Sequence, residues 1–467
     1  VSPMLPPDER LDQIGVNGIF GSVSLGIANM VFVDATLRND VSSTLPIENN
    51  SYLYPSVSGS FLFSNLFDAN WLQLGKLRLN YAEVGNDAPP RSILDTYDGQ
   101  APFAGNTMVS VNPTKNNAEL LPENTKSLEA GLEMRMFESR LGLDFAVYKT
   151  NTFNQLSAVD VSFATGYQWT WINAGEIQYQ GIEVAAFFTP IRTMDFSWEI
   201  SLNWAKNVNE VISLFTDEAG NEVQSIVLGA PQAVNIEAKV GEPYGTIHGR
   251  NYVFHENGEP IVGSNGLYER TATSDQVIGN VNPDWNAGIT NSFSYKNLSL
   301  SFLIDWQQGG NVFSLDNWYG VGTGLYEETA DNNDLGNPQR DPVDGEEGGG
   351  IILPGVLEDG SPNDIRIESD IFAEGWVRSP HARFIYEATY IKLRELVLTY
   401  ELPRDLISRT PLAGISVSFV GSNLWIIKKD LPHADPEASQ GAGNIQGWQS
   451  GVMPTTRNFG FSLNLQF

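Results

Sequence analysis

Cysteine is absent from the 467 residues, so the chain has no disulfide framework, no thiolate zinc site and no cysteine nucleophile. Basic residues are scarce, with 27 Lys and Arg against 56 Asp and Glu and a formal net charge of -29. Neutralising phosphates takes Lys and Arg, so this balance argues against nucleic acid as a partner. No stretch approaches the roughly 18 consecutive apolar residues of a membrane-spanning helix, and any membrane crossing must be made by strands. The first residues, Val1-Ser2-Pro3, offer no initiator Met, basic segment or apolar segment, so the targeting signal is expected outside this sequence. G-x-S-x-G, H-E-x-x-H and G-x-x-x-x-G-K-[ST] are all missing, and His248, His255, His381 and His433 are scattered among loops. The expectation is a protein that is not an enzyme.

What is present is two-residue alternation, from one end of the chain to the other. Met194, Phe196, Trp198, Ile200, Leu202 and Trp204 interleave with Asp195, Ser197, Glu199, Ser201 and Asn203. Leu298, Leu300, Phe302, Ile304 and Trp306 stand against Ser299, Ser301 and Asp305, with only Leu303 out of place. Leu141, Leu143, Phe145 and Val147, and finally Phe459, Phe461, Leu463, Leu465 and Phe467, repeat the pattern. Soluble sandwiches alternate too, so length and connections must decide. Strands are expected at 13–26, 30–40, 52–64, 73–85, 126–137, 140–151, 176–189, 194–208, 284–296, 298–310, 388–402, 414–424 and 456–467. All reach the ~9 to 11 residues needed to cross a bilayer obliquely.

The connections alternate as well. Ala28-Asn29, Glu138-Ser139, Thr189 to Thr193 and Lys296-Asn297 read as tight turns, and 65–72 and 403–413 as somewhat longer ones on the same side. Between them run long links at 41–51, 86–125, 152–175, 209–283, 311–387 and 425–455. Short turns at one end and long loops at the other are the pattern of an outer-membrane barrel. The fold class expected is therefore all-β, a transmembrane antiparallel barrel in the bacterial outer membrane. Phe467, closing an aromatic-rich strand, reads as the assembly signal such a barrel carries.

LRLNYAEVGND (Leu77 to Asp87), LPENTKSLEAGLEMRMF (Leu121 to Phe137), NAGEIQYQGIEV (Asn173 to Val184) and VGEPYGTIHGRNY (Val240 to Tyr252) bear a more specific signal. So do NPDWNAGITNSFSYKNLSLSFLIDWQQGGNVFS (Asn282 to Ser314), ATYIKLRELVLTYELP (Ala388 to Pro403) and the closing PTTRNFGFSLNLQF. In this order they resemble the SusC/RagA-like TonB-dependent transporters of Bacteroidetes. The resemblance implies a barrel of about 22 strands around an N-terminal plug, of which residues 1–467 would be the C-terminal part, about 13 strands. Plug, TonB box and about nine strands lie outside this sequence on that reading. It also implies a SusD-like lipoprotein as lid, energy from TonB-ExbB-ExbD through the missing N-terminal region, outer-membrane lipid around the wall, and an oligosaccharide or peptide as cargo. A passive or structural barrel, such as an adhesin scaffold or export component, is the competing function, and a secreted β-rich carbohydrate enzyme a third.

Candidate contact residues follow from ring chemistry. Trp169, Trp171, Trp318, Tyr319, Trp376 and Trp448 fall in loops, where flat rings with a polar edge suit sugars, peptides or a partner protein. Packing of loop on loop would use the same residues. Trp198, Trp204 and Trp306 fall in strands and read as lipid-facing or interfacial anchors. Glu327 to Glu374 holds 14 acids against two Arg. Asp331, Asn333 and Asp334 are the candidate Ca²⁺ ligands there, although the EF-hand Gly and closing Glu are out of register. The pair Glu346-Glu347 reads as solvated charge rather than as an acid–base couple.

Overall fold

Alternating side chains need one face against an apolar medium and the other against a polar one, and strand backbone supplies that division residue by residue. The computed structural model describes residues 11–217, 220–345, 348–370, 373–375, 377–437 and 446–467. Thirteen long strands form the main sheet in chain order: β1 (Val16–Ile27), β2 (Val31–Ser42), β3 (Ser51–Leu62), β4 (Leu72–Asn86), β5 (Glu123–Met136), β6 (Leu141–Phe153) and β7 (Glu176–Arg192), then β8 (Phe196–Ser213), β9 (Pro283–Tyr295), β10 (Leu298–Gly309), β11 (Tyr390–Glu401), β12 (Gly414–Lys429) and β13 (Asn458–Gln466). Each coincides with one expected strand. The chain divides into two compact units, Val1–Ala186, Asn207–Ile226 and Lys239–Glu242 in one, and Phe187–Lys206, Val227–Ala238 and Pro243–Phe467 in the other.

In the first unit the antiparallel register aligns Leu25, Val33, Gly59, Leu79, Ala130 and Val147 in one row across β1 to β6. The neighbouring row, on the opposite face, is Ser24, Asp34, Ser58, Asn80, Glu129 and Tyr148. Its short turns use left-handed residues, with Ala28 and Asn29 both at φ 53° and Phe137, Glu138 and Ser139 at φ 57° to 60°. At the other end the links carry a hairpin (Tyr97–Phe103 with Asn106–Val111) and a small sheet of Thr114–Lys115, Leu156–Asp160 and Trp169–Asn173. Leu45, Ala88 and Leu120 form a buried cluster there. Gly175, at φ 63°, passes so close to Ser213 that a Cβ would lie 1.9 Å from its carbonyl oxygen.

The second unit repeats the division. Trp198, Phe293, Leu300, Leu398, Phe419 and Phe461 make one row across β8 to β13, and Ser197, Ser294, Ser299, Thr399, Ser418 and Ser462 make the row beside it on the other face. A bulge in β11 between Leu393 and Glu395 sends Arg394 and Glu395 to the polar side together, which restores Leu396 and Leu398 to the apolar one. Leu303 lies opposite Glu395 and Thr290 on the polar side, so its break in the alternation is structural. Above the sheet, Asn311–Ser314 pairs with Ile385–Glu387 and Trp448–Gln449 and leads into the helix α1 (Leu315–Gly322), capped by the Ser314 hydroxyl on the Asn317 N–H. Val234, Ile247, Phe313, Leu315, Trp318 and Phe384 are the buried core of this loop module. The described parts of the long links are thus folded, as is usual for loops of such length in a compact protein.

Candidate functional site: a polar wall under folded loops

The polar face is built from charges that satisfy one another. In the first unit Arg78 on β4 reaches across β5, with Nε 3.2 Å from Glu129 and Nη1 2.9 Å from Asp144 on β6. Gly131 opens that path, since a Cβ there would lie 2.3 Å from the Arg78 Nε. Arg38 Nε donates to Asp40 Oδ1 at 2.9 Å and lies 3.0 Å from the Tyr54 hydroxyl.

In the second unit the wall holds a loop. Lys392 on β11, 2 % exposed, donates to Asp435 at 2.6 Å and also to Glu437. Arg394, displaced onto this face by the bulge, bonds Asp305 of β10 and, at 2.6 Å, Glu437, and its Nη1 reaches Asn423 at 2.8 Å. Burial pushes the Asp435 carboxyl up, but hydrogen bonds from Lys392, from the Thr455 hydroxyl and from the Glu437 N–H outweigh it and hold the group down at about 2. The segment 430–437 is thereby tied to the polar side of the wall. Buried ion pairs contribute little net stability but cost about 3 to 5 kcal/mol when one partner is removed, so the contact fixes position. The sequence signal for this site was the pair Lys392 and Arg394, two apart in β11; their acids, more than 40 residues away, gave no such signal.

The loop aromatics separate by burial. Trp318 is 4 % exposed and packs between Phe313, 5.2 Å away, and Phe384, 5.1 Å away. From there it cannot meet an incoming ligand, which corrects the expectation of a contact role: the ring is the centre of the module's core. Trp448 is half-buried against the same core, and Trp171 is half-buried against the cluster of the first unit. Tyr319 and Trp169 keep 40 % and 38 % of their surface exposed. Trp376 and the pair Glu346-Glu347 lie outside the described residues.

On the apolar face Trp204, Ala287 and Trp306 lie in one row, with Trp285 against Trp306 at 4.9 Å. Trp198 stacks on Phe293 at 5.6 Å, and its indole N–H donates to Asn291 Oδ1 at 3.2 Å. Six residues separate Trp198 from Trp204, ~20 Å along a strand, close to the ~25 Å height of a membrane barrel's apolar band. Phe467 is 89 % exposed beyond the end of β13. Of the cation candidates, Asp334 is 2.5 Å from Arg366, and the Asn333 side chain bonds the backbone of Leu335, Asn337, Gly348 and Gly350. Among the described residues no group of three or more acids or histidines is arranged around a metal.

A model of the family "TonB dependent receptor-like, beta-barrel" matches residues 3–344. The chain is 26% identical to TonB-dependent receptor P3 of Formosa agariphila, aligning over 99% of this chain and 46% of that protein. It is 27% identical to TonB-dependent receptor SusC of Bacteroides thetaiotaomicron over 67% of this chain and 33% of that one. The RagAB peptide importer in its closed-closed state superposes with a TM-score of 0.75 at 19% identity, covering 98% of this chain and 48% of that one, and this likeness shows the fold alone. The chain spans about half the length of the curated relatives it matches.

Proposed function

Because the chain belongs to the TonB dependent receptor-like β-barrel family and is SusC/RagA-like within it, we propose that it forms part of the wall and loop shell of an outer-membrane importer of oligomeric nutrients, glycans or peptides. A SusD-like lipoprotein closes over the loops, and TonB-ExbB-ExbD supplies energy through segments outside this sequence. One observation carries this reading: a wall with an apolar and a polar face bears, at the end opposite its short turns, long links with cores of their own. A passive pore has no need of such modules, whereas cargo capture needs a shaped surface above the lumen.

Among the described residues β1 and β13 stand at the two ends of the strand order, and every residue of both is exposed. Backbone left unpaired at lipid depth costs several kcal/mol per group, so both of these edges have to be paired in the membrane. Purification from native membranes in mild detergent tests the partner. A lipoprotein in near-equal amount is the expected result, and a barrel that emerges alone removes the lid from the account.

A further inference from the structure

Within a chain of net charge -29, the loop module of the second unit brings three arginines, Arg250, Arg270 and Arg378, to one place. The Arg250 N–H donates to His381 Nδ1 at 3.0 Å, and the Ala382 N–H donates to the Arg250 carbonyl at 3.2 Å. Arg270 bridges Tyr252 through the backbone and reaches the Ser379 carbonyl with Nη1 at 3.4 Å, beside exposed Arg378. Three segments thus bring Arg250, Arg270 and Arg378 around residues 379–382. Among the described residues none of the three has a carboxylate within ion-pair distance. Glu269, adjacent to Arg270, turns the other way, its carboxylate over Gly263. Glu374 is taken by Arg383, 3.0 Å away. The Arg270 guanidinium is held below its ordinary value by burial and then by Arg250 and Arg378, and His381 is pushed down to about 4 by burial and then by Arg270 and Arg250. The histidine therefore stays neutral and adds no charge.

Guanidinium groups that repel one another without a counter-charge are stabilised by an anion that accepts from several of them at once. We propose that Arg250, Arg270 and Arg378 form a recognition site for the carboxylate or sulfate group of an acidic oligosaccharide; the assignment rests on the import reading and deepens it. The forked, planar donors match both anions. Phe254, 52 % exposed and with its ring 6.0 Å from that of Tyr252, offers a face for the sugar beside them. A peptide in extended form would need an open strand edge. Here the backbone of 251–253 and 269–271 is spent internally, through Val253 to Glu269, Ile261 to Val253, Glu269 to Ile261 and Thr271 to Asn251.

The test is calorimetry on the whole protein, expressed from its gene and purified in detergent. The probes are an oligogalacturonate, a sulfated carrageenan oligosaccharide, a neutral maltooligosaccharide and an oligoglutamate. Binding of at least one acidic oligosaccharide is expected, weakened about tenfold or more by Arg378→Gln and by Arg270→Gln. Arg378 is exposed, so its variant keeps the fold even if Arg270→Gln disturbs the contact to Ser379. Which anion binds separates uronate from sulfate. The proposal is overturned if neither acidic sugar binds, if the variants bind as wild type does, if oligoglutamate alone binds, or if the variants lose the lipoprotein while keeping sugar affinity. Wild-type binding without uptake of any oligomer by cells would leave the site standing and sink the import reading instead.

Discussion

Trp318 and Tyr319 are neighbours in sequence and of similar chemistry, yet one is interior and the other surface. Truncating a large buried ring typically costs about 3 to 5 kcal/mol, whereas an exposed side chain away from special features costs within ~0.5 kcal/mol. Trp318→Ala should therefore loosen the loop module more than Tyr319→Ala does, read as faster hydrogen exchange around Phe313 and Phe384. Equal effects would refute the burial argument. Ring chemistry alone made both look like contacts, because a core aromatic and a binding aromatic are the same residue type, and only tertiary packing tells them apart. His381 shows a second property invisible in sequence. Its folded-state value of about 4 lies below the ordinary 6.5. The neutral form favours the fold, so its contribution is complete above about 6.5 and is lost as pH falls toward 4. Acidification through that window should raise exchange in segment 379–387, and His381→Asn should remove the pH dependence; a pH-independent wild type would contradict the assignment.

At the scale of the strand, period-two patterning was readable because every slip of register exchanges the two faces. All thirteen long strands were legible for that reason, with ends displaced by a few residues where polar loop segments continue the ladder, as in β8 to Ser213 and β12 to Lys429. The bulge at Arg394 was not legible, since one extra residue in an alternating strand looks like noise until its partner strand is known. Nor were the small loop sheets and α1, whose short segments lack a period long enough to count. Lipid contact on the apolar face predicts an asymmetric response at Ile200. Ile200→Phe should be tolerated, and Ile200→Arg should cost about 2 to 4 kcal/mol at mid-membrane depth, measured by denaturant titration of the whole barrel in lipid vesicles. Unchanged stability of the Arg variant would place that face away from lipid.

For the whole molecule, a sheet with an apolar and a polar face and loop cores that organise themselves support the importer proposed above. Family membership was legible in the ordered motifs from Leu77 onward, while the loop surface that selects cargo was not, because its charges meet only through contacts between distant segments such as 250, 270 and 378. Energised import of an oligomer can be measured as uptake of a fluorescent oligosaccharide or peptide pool into living cells, with the gene intact, deleted and restored, before and after the proton-motive force is collapsed. Accumulation that needs both the gene and the proton-motive force is expected; accumulation that survives the collapse, or is indifferent to the gene, would overturn the proposed import.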